Sequence, residues 1–374
     1  MIVLNNKHKL FTVINKKISQ IKKQTPQIKK QTPQIKKQTP QIKKRIPQIN
    51  KRIPQIKKQT PQKSPPNINQ PVLPESIPTF TLLNINERVN FYLGKELLET
   101  TININDYNNI ITAKQLDIIG DPLYAGRLHK LLTTTHNLHN KFAFLKGDIS
   151  IPLNILTLCK NRCADNNGSV LLRSLNYNRH WDPYYNKPKD KPYDQKLNQV
   201  FWRGTSTGNE NRLANRFHLV KRWFNKHTHI NVGLSNICQG KHAYAKYVKN
   251  SCNITTFLNY KYILSVEGND KDTGINWKLN SNSLVFMAKP RVTSWLMETT
   301  LIPNYHYILL KDDFSDLLDK MRWCNNNPVR CKQIVRNATE FMKQFSNIKK
   351  EEEIERTVIN KYFTLLNKGV IPHI

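Results

Sequence analysis

The sequence predicts an α/β protein with parallel strands and crossover helices, preceded by an extended basic tail. Three observations carry this. From about residue 196 onward, short apolar runs alternate with helical patterns, the signature of strand–helix crossovers. Polar Gly/Asn stretches, Glu267-Gly268-Asn269-Asp270 and Asn276-Trp277-Lys278, fall after a strand, where an open α/β sheet holds a phosphorylated ligand. Finally, residues 21–62 repeat Thr-Pro-Gln-Ile-Lys-Lys-Gln with variants, with prolines at 26, 33, 40, 47, 54 and 61.

A seven-residue period suggests a coiled coil, but a proline in every heptad forbids a continuous helix. One isoleucine per repeat builds no core, so residues 1–78 read as a disordered, solvated tail and linker. The folded chain begins near Thr79. Residues 1–75 carry eighteen Lys and Arg and one acid, Glu75, which is about half of the formal +33. Asn, Ile and Lys are abundant throughout, as in coding from an AT-rich genome. The charge therefore does not by itself make nucleic acid a partner. No helix-turn-helix, zinc-finger or RNP-like motif is present, and a basic nucleic-acid-binding protein is kept as the alternative. An anionic membrane surface is a second candidate partner, through residues 1–63.

Between 79 and 195 the signals are mixed. Arg88 to Leu98 reads as a helix, and so does Pro122 to Leu132, with Leu123, Leu128, Leu131 and Leu132 on one side. Lys141 to Leu145 reads as a strand ending in Lys146-Gly147-Asp148, and Val170 to Arg173 as another. A polar, aromatic stretch follows from Tyr177 to Tyr193. From 196 to 374 the pattern tightens. Val200-Phe201-Trp202 is a buried strand, followed by a helix over 209–225 with Leu213, Phe217, Val220 and Phe224 on its apolar face. Strands are expected over 261–266, 283–288 and 306–310, a short helix over 276–280, and closing helices over 313–325, 328–345 and 350–367.

Six cysteines show no C-x-x-C pair and no zinc spacing, so they read as structural or incidental thiols. The first twenty residues have no apolar run of signal-peptide length, and no segment has 18 consecutive apolar residues. The expectation is a cytoplasmic protein, peripheral at a membrane.

Four groups of residues carry candidate chemistry. In Trp202 to Gly208, Arg203 offers a fixed cationic fork, Gly204 close backbone approach, and Thr205 and Ser206 hydroxyl donors, all suited to phosphate oxygens. The stretch lacks the Gly-Lys-Ser/Thr of a Walker loop and also reads as an ordinary turn. In the second loop Glu267, Gly268, Asn269, Asn276 and Lys278 are placed to meet a ligand, with Lys278 able to neutralise a departing diphosphate; a solvated loop with a surface lysine is the plain alternative. Asp270-x-Asp272 has the spacing of a Mg²⁺ or Mn²⁺ site, but lies in a lysine-bearing loop. Asp148, after a strand, fits a general base or a common Gly-Asp turn.

Taken together these blocks resemble glycosyltransferase family 90, closest to its lipopolysaccharide-modifying branch. The likeness runs through Lys146-Gly147-Asp148, Lys160-x-Arg162, Asn178-Arg179-His180-Trp181 and Phe201-Trp202-Arg203-Gly204-Thr205. It continues in Lys261 to Asp270, Asn276-Trp277-Lys278, Ser281-Asn282-Ser283, Trp295 to Glu298, Pro303 to Tyr307 and Asp313 to Leu317, in family order. The resemblance implies a GT-B-like fold, two Rossmann-like domains with a cleft between, the acceptor side over 79–195 and the nucleotide-sugar side over 196–374. It implies a UDP-sugar as co-substrate, glucose or xylose first among them, with inversion at the anomeric carbon and neither metal nor other cofactor. Asp148 takes the catalytic position. Arg203, Gly204, Thr205 and Ser206 take the diphosphate loop, Glu267 to Asn269 with Asn276 to Lys278 the donor loop, and Glu298 the ribose. Lys278 stands where glucosyltransferase relatives carry an arginine. His306 is expected to pack at the cleft wall. With no signal peptide and no ER-retention tetrapeptide, the acceptor is expected to be a glycan or lipid-linked hydroxyl rather than a lumenal protein.

Overall fold

A computed structural model describes residues 80–107, 110–165 and 168–368. The repeat tail and its linker lie outside the described residues. The rest is a mixed α/β structure. Its strands are β1 (Ile110–Ile111), β2 (Phe142–Phe144), β3 (Thr157–Cys159), β4 (Asn161–Cys163), β5 (Val170–Leu171), β6 (Leu197–Thr205), β7 (Ile230–Asn236), β8 (Tyr260–Leu264), β9 (Leu284–Met287), β10 (Val292–Ser294) and β11 (Ile308–Leu309).

Five strands form a wholly parallel sheet in the order β11-β9-β8-β6-β7. β6 lies inside it, and its Val200, Phe201 and Trp202 are all buried, as a continuous apolar run covered on both faces requires. Alternate side chains serve different cores. Phe201, Ile263 and Val285 join a large apolar cluster with the N-terminal helices and the last helix. Val200, Trp202, Tyr262 and Phe286 face a second cluster with the helices Arg216–Trp223 and Leu317–Asn326. The large cluster contains residues from both sides of position 196.

A second sheet runs β1-β2-β3-β5, parallel except for the β1/β2 pair. β4 and β10 pair antiparallel, tying the 161–163 segment to the 292–294 segment. The last helix, Ile348–Lys368, returns to the first, Ile85–Leu93. There Arg88 and Glu351 form a buried ion pair at 2.7 Å. The Trp295 indole donates to Glu351 at 2.6 Å and stacks on Tyr92 at 3.7 Å. Among the described residues no helix is long and apolar enough to cross a membrane, and all six cysteines are free thiols.

Three departures from the sequence reading bear on the site. β6 runs three residues past Trp202, so Arg203, Gly204 and Thr205 lie in the strand and not in a turn. Gly204 is required there, because a Cβ would meet its own strand's Trp202 ring at 2.6 Å. The following helix begins at Arg216, not near 209. Gly208 (φ 111°) and Ala214 (φ 53°) turn the chain first, and Leu213, expected on the buried face, is exposed. Strand β7 went unread, although Ile230, Val232 and Leu234 alternate with less apolar residues.

Candidate active site

A cleft of about 330 Å³ opens where β6 and β8 end and where the loop after β2 comes near. Asp148, Lys160 and Arg179 line one side. Arg203, Gly204, Thr205, Thr207, Arg216 and the 268–274 loop line the other, with Trp277 and Lys278 behind.

Asp148 is re-aimed by Gly147, whose φ of 97° turns the chain as it leaves β2. Its Oδ1 accepts from Lys160 Nζ at 2.6 Å, and its Oδ2 from Asn269 Nδ2 at 3.1 Å. Lys160 lies between β3 and β4 with its side chain 4% exposed, and also pairs with Asp270 at 2.8 Å. One buried ammonium thus bridges two carboxylates. Burial of Asp148 opposes its ionisation, but Lys160 and the Asn269 amide outweigh it and hold the carboxyl below its ordinary range. For Lys160, burial is outweighed by Asp270 and Asp148, and its ammonium is held above the usual lysine range.

The opposite wall is built from two loops pressed together. Asn269 Oδ1 accepts from the Gly208 amide at 2.9 Å. A Cβ on Gly208 would lie 2.9 Å from the Gly268 carbonyl oxygen, and one on Gly268 would lie 2.6 Å from Thr207 Oγ1. Only glycines permit this approach.

Arg216, which the sequence reading missed, sits at the centre of that wall. It is the first residue of its helix, after the Asn215 cap. Its Nη1 donates to Thr205 O at 2.9 Å, to Thr207 Oγ1 at 2.7 Å and to Thr205 Oγ1 at 3.2 Å. Among the described residues no carboxylate forms an ion pair with it, and burial pushes its pKa down. The only local signal was a cation just inside a capped helix start.

The predicted residues fall into three groups. Asp148, Arg203, Gly204, Thr205, Gly268, Asn269 and Lys278 line the one cleft. Of these, Arg203 is tethered: it donates to Trp202 O (2.8 Å), Asn231 O (3.0 Å), Asn231 Oδ1 (2.8 Å) and Asn250 O (3.3 Å). Four of a guanidinium's five N–H groups are then engaged. Lys278 is not an uncompensated cation. It is buried, pairs with Asp272 at 2.5 Å and donates to Leu264 O at 2.9 Å. Burial lowers its pKa against the pull of Asp272.

Glu267 and Glu298 line a second cavity, of about 20 Å³, which shares Lys271 and Asp272 with the cleft. Glu267 binds Arg291, through its amide at 2.9 Å and Nε at 3.2 Å. Glu298 accepts from Ser294 N at 2.7 Å and pairs with Lys271 at 2.7 Å. The remaining two face inward. Ser206 exchanges hydrogen bonds with the Cys238 backbone at 3.0 and 2.7 Å. Asn276 is fully buried and accepts from Lys271 at 3.2 Å.

Asp270 and Asp272 turn to different lysines, Lys160 and Lys278, rather than to a common point. Among the described residues no group of three or more His, Cys, Asp or Glu has the arrangement of a metal site. His306 lies away from the cleft, corrected from the cleft wall to the apolar core: its Nδ1 accepts from Ile302 N at 2.9 Å, its ring meets Phe80 edge-on at 4.7 Å, and burial lowers its pKa to about 4.

A strand-end cleft lined by six cations and three carboxylates, Asp148, Asp270 and Asp272, is an α/β site with a net positive lining. The model of the family described as Glycosyl transferase family 90 matches residues 180–371. The O-glucosyltransferase LpsA of Dichelobacter nodosus is 32% identical over 239 residues, covering 63% of this chain and 71% of that protein. Protein O-glucosyltransferase 2 of Danio rerio is 28% identical over 177 residues, covering 46% of this chain and 32% of that one. Among solved structures, TarM aligns with a TM-score of 0.33 and 14% identity, over 55% of this chain and 40% of that one; so loose a match carries no argument. The chain belongs to glycosyltransferase family 90, and glycosyl transfer is its class of reaction. The family model's match begins after Asp148 and Lys160, whereas the similarity to LpsA, at 63% of the chain, extends across them.

Proposed function

We propose that the protein is an inverting transferase that moves a sugar, glucose or xylose first, from a UDP-sugar to a hydroxyl of a glycan, lipid-linked or protein acceptor. The carrying observation is that Asp148 and Arg203 line the same cleft, with Arg216 between the donor-side loops. Two relatives bearing O-glucosyltransferase names support glucose. A GT-B-like arrangement, with the acceptor held at the 79–195 side and the nucleotide at the 196–374 side, is part of this reading.

In the proposed reaction the acceptor oxygen attacks the anomeric carbon from the face opposite the diphosphate. Asp148 takes the hydroxyl proton as the new C–O bond forms. The bond to the diphosphate oxygen breaks, and the electron pair leaves with UDP. One displacement inverts the carbon. Charge building on the departing phosphate is met by Arg216, Arg203 and the Thr205 and Thr207 hydroxyls, a preorganised electrostatic clamp of the kind a metal supplies elsewhere. Arg216 takes the part first expected of Lys278, because Lys278 is already neutralised.

A cytoplasmic setting at an anionic membrane, held there by residues 1–63, completes the proposal; each Lys or Arg near such a surface contributes about 1 kcal/mol before screening. The test is UDP release from UDP-glucose and UDP-xylose, with mass spectrometry of offered glycans. Melting temperature with millimolar UDP and UDP-sugars is measured in parallel. Absence of both turnover and any thermal shift sinks the reading. Deleting residues 1–75 decides the nucleic-acid alternative: it gains only if the remaining chain still binds polyanions with a steep salt slope.

A further inference from the structure

A second pocket, of about 390 Å³, lies between the helices Ala125–Thr134 and Ile348–Lys368 and the segment at Arg173 to Tyr177. It is comparable in size to the cleft, and the proposed reaction makes no use of it. Four cations line it, Arg127, Lys130, Arg173 and Arg356, against two carboxylates, Glu352 and Glu355.

The carboxylates serve the buried members. Arg173, 3% exposed, lies 3.9 Å from Glu352 and 4.0 Å from Glu355. Glu355 also accepts from the Ser174 amide at 2.6 Å. Arg127 and Arg173 each pack on the Tyr177 ring, at 5.1 and 5.2 Å. Lys130 and Arg356 are exposed, and neither side chain has an ion pair or hydrogen bond among the described residues. Ser174 Oγ, also lining the pocket, is buried without a hydrogen-bond partner. A concave site with two uncommitted cations, a half-committed guanidinium and a spare hydroxyl has the complement of a phosphate or carboxylate.

Its place relative to the cleft gives it a role. Tyr177 lines this pocket, Arg127 binds the Asn178 side chain, and Arg179 lines the cleft. Tyr177 and Arg179 are two residues apart on one helical turn, Tyr177–His180. That turn separates the two sites. We propose that this pocket is an acceptor subsite that holds an anionic sugar, bearing a phosphate or a carboxylate, while the hydroxyl to be modified lies at Asp148. The word acceptor rests on the transferase reading; the anionic-sugar site does not.

The experiment uses the full chain and the charge-reversed double variant Lys130→Glu/Arg356→Glu, both exposed positions whose change spares the core. Binding of tetragalacturonate, a phosphorylated mannopentaose and neutral maltotetraose is measured at one ionic strength. The basic tail is intact in both proteins, so it contributes equally and the difference reads the pocket. The expected result is about tenfold weaker binding of at least one acidic probe, with maltotetraose unchanged. Loss confined to tetragalacturonate assigns a carboxylate ligand; loss confined to the mannopentaose assigns a phosphate. Equal binding of the acidic probes by both proteins, no binding of either by the wild type, or an equal loss of maltotetraose overturns the proposal. UDP affinity measured on the same samples reports separately on the transferase reading.

Discussion

The two walls of the cleft bury positive charge in opposite ways. On the base side, Lys160 lies between Asp148 and Asp270 and its charge is more than matched. Behind the donor side, Lys278 is likewise cancelled by Asp272. Arg216 hydrogen-bonds only carbonyl and hydroxyl oxygens, and Asp272 and Asp270 act on it without a direct ion pair. Burying a charge without a directly bonded opposite partner is unfavourable. In the proposed reaction a diphosphate would pair directly with Arg216, whereas one arriving at Lys278 would have to displace Asp272. Counting cations near a cleft says little until each one's partner is known.

Removing the carboxylate on the base side has the largest expected effect. Asp148→Asn is expected to lower turnover by about 10³-fold, the middle of the range for a positioned general base. Lys160 keeps its Asp270 partner, so folding and UDP affinity are expected to stay unchanged. Single-turnover kinetics beside calorimetric UDP titration checks both, and retained turnover removes Asp148 from the chemistry.

Next come the two donor-side cations, which should diverge. Lys278→Met strands the buried Asp272 carboxylate with only Ser265 Oγ and the Gly274 amide as direct donors. A loss of about 3 kcal/mol in folding stability follows from breaking a buried pair, read by urea denaturation. Arg216→Met breaks no direct carboxylate ion pair, and its loss of support for ionised Asp272 is offset by the removal of a buried charge. Its stability is expected within about 1 kcal/mol of wild type, while UDP affinity falls about tenfold or more, at 1.4 kcal/mol per factor of ten. If Arg216→Met unfolds the protein and Lys278→Met leaves it intact, the assignment of the two roles is reversed.

Much of this arrangement was legible in the sequence, and the illegible part has a physical cause. The strands β6, β8 and β9 and the closing helices announce themselves by apolar run length and period. Asp148 and Arg203, 55 positions apart in the chain, were paired through the family resemblance, and they line one cleft. The side chains' directions were not legible. Ser206 and Asn276 lie in the expected segments but turn inward, because Cys238 and Lys271 complete their hydrogen bonds. Lys278 looked like a surface lysine because its partner Asp272, six residues earlier, meets it only once the 272–278 loop and helix fold back under β8. Arg216 was hidden for the converse reason: its acceptors, in β6, the following loop and just past the end of β8, are brought to it only by the fold. Strand β7 shows the simplest miss, a period-two pattern of only three apolar residues, Ile230, Val232 and Leu234.

The mildest expected effect concerns Lys160, and it sharpens the base side alone. Asp148 must be ionised to accept a proton, so its folded-state pKa sets the acid limb of the rate. Burial alone would raise that pKa; Lys160 and Asn269 bring it below the ordinary carboxylate range. Activity is therefore full at and above that range and falls only as pH drops through the lowered value. Lys160→Met removes the main opposing charge and leaves burial acting, so the acid limb of kcat/KM moves to higher pH. Lys160→Arg restores a cation between Asp148 and Asp270 and is expected to return the limb toward its original position. A purely structural lysine would instead lower activity equally at every pH, so a uniform loss with an unmoved acid limb would show that Lys160 holds the loop and does not tune the base.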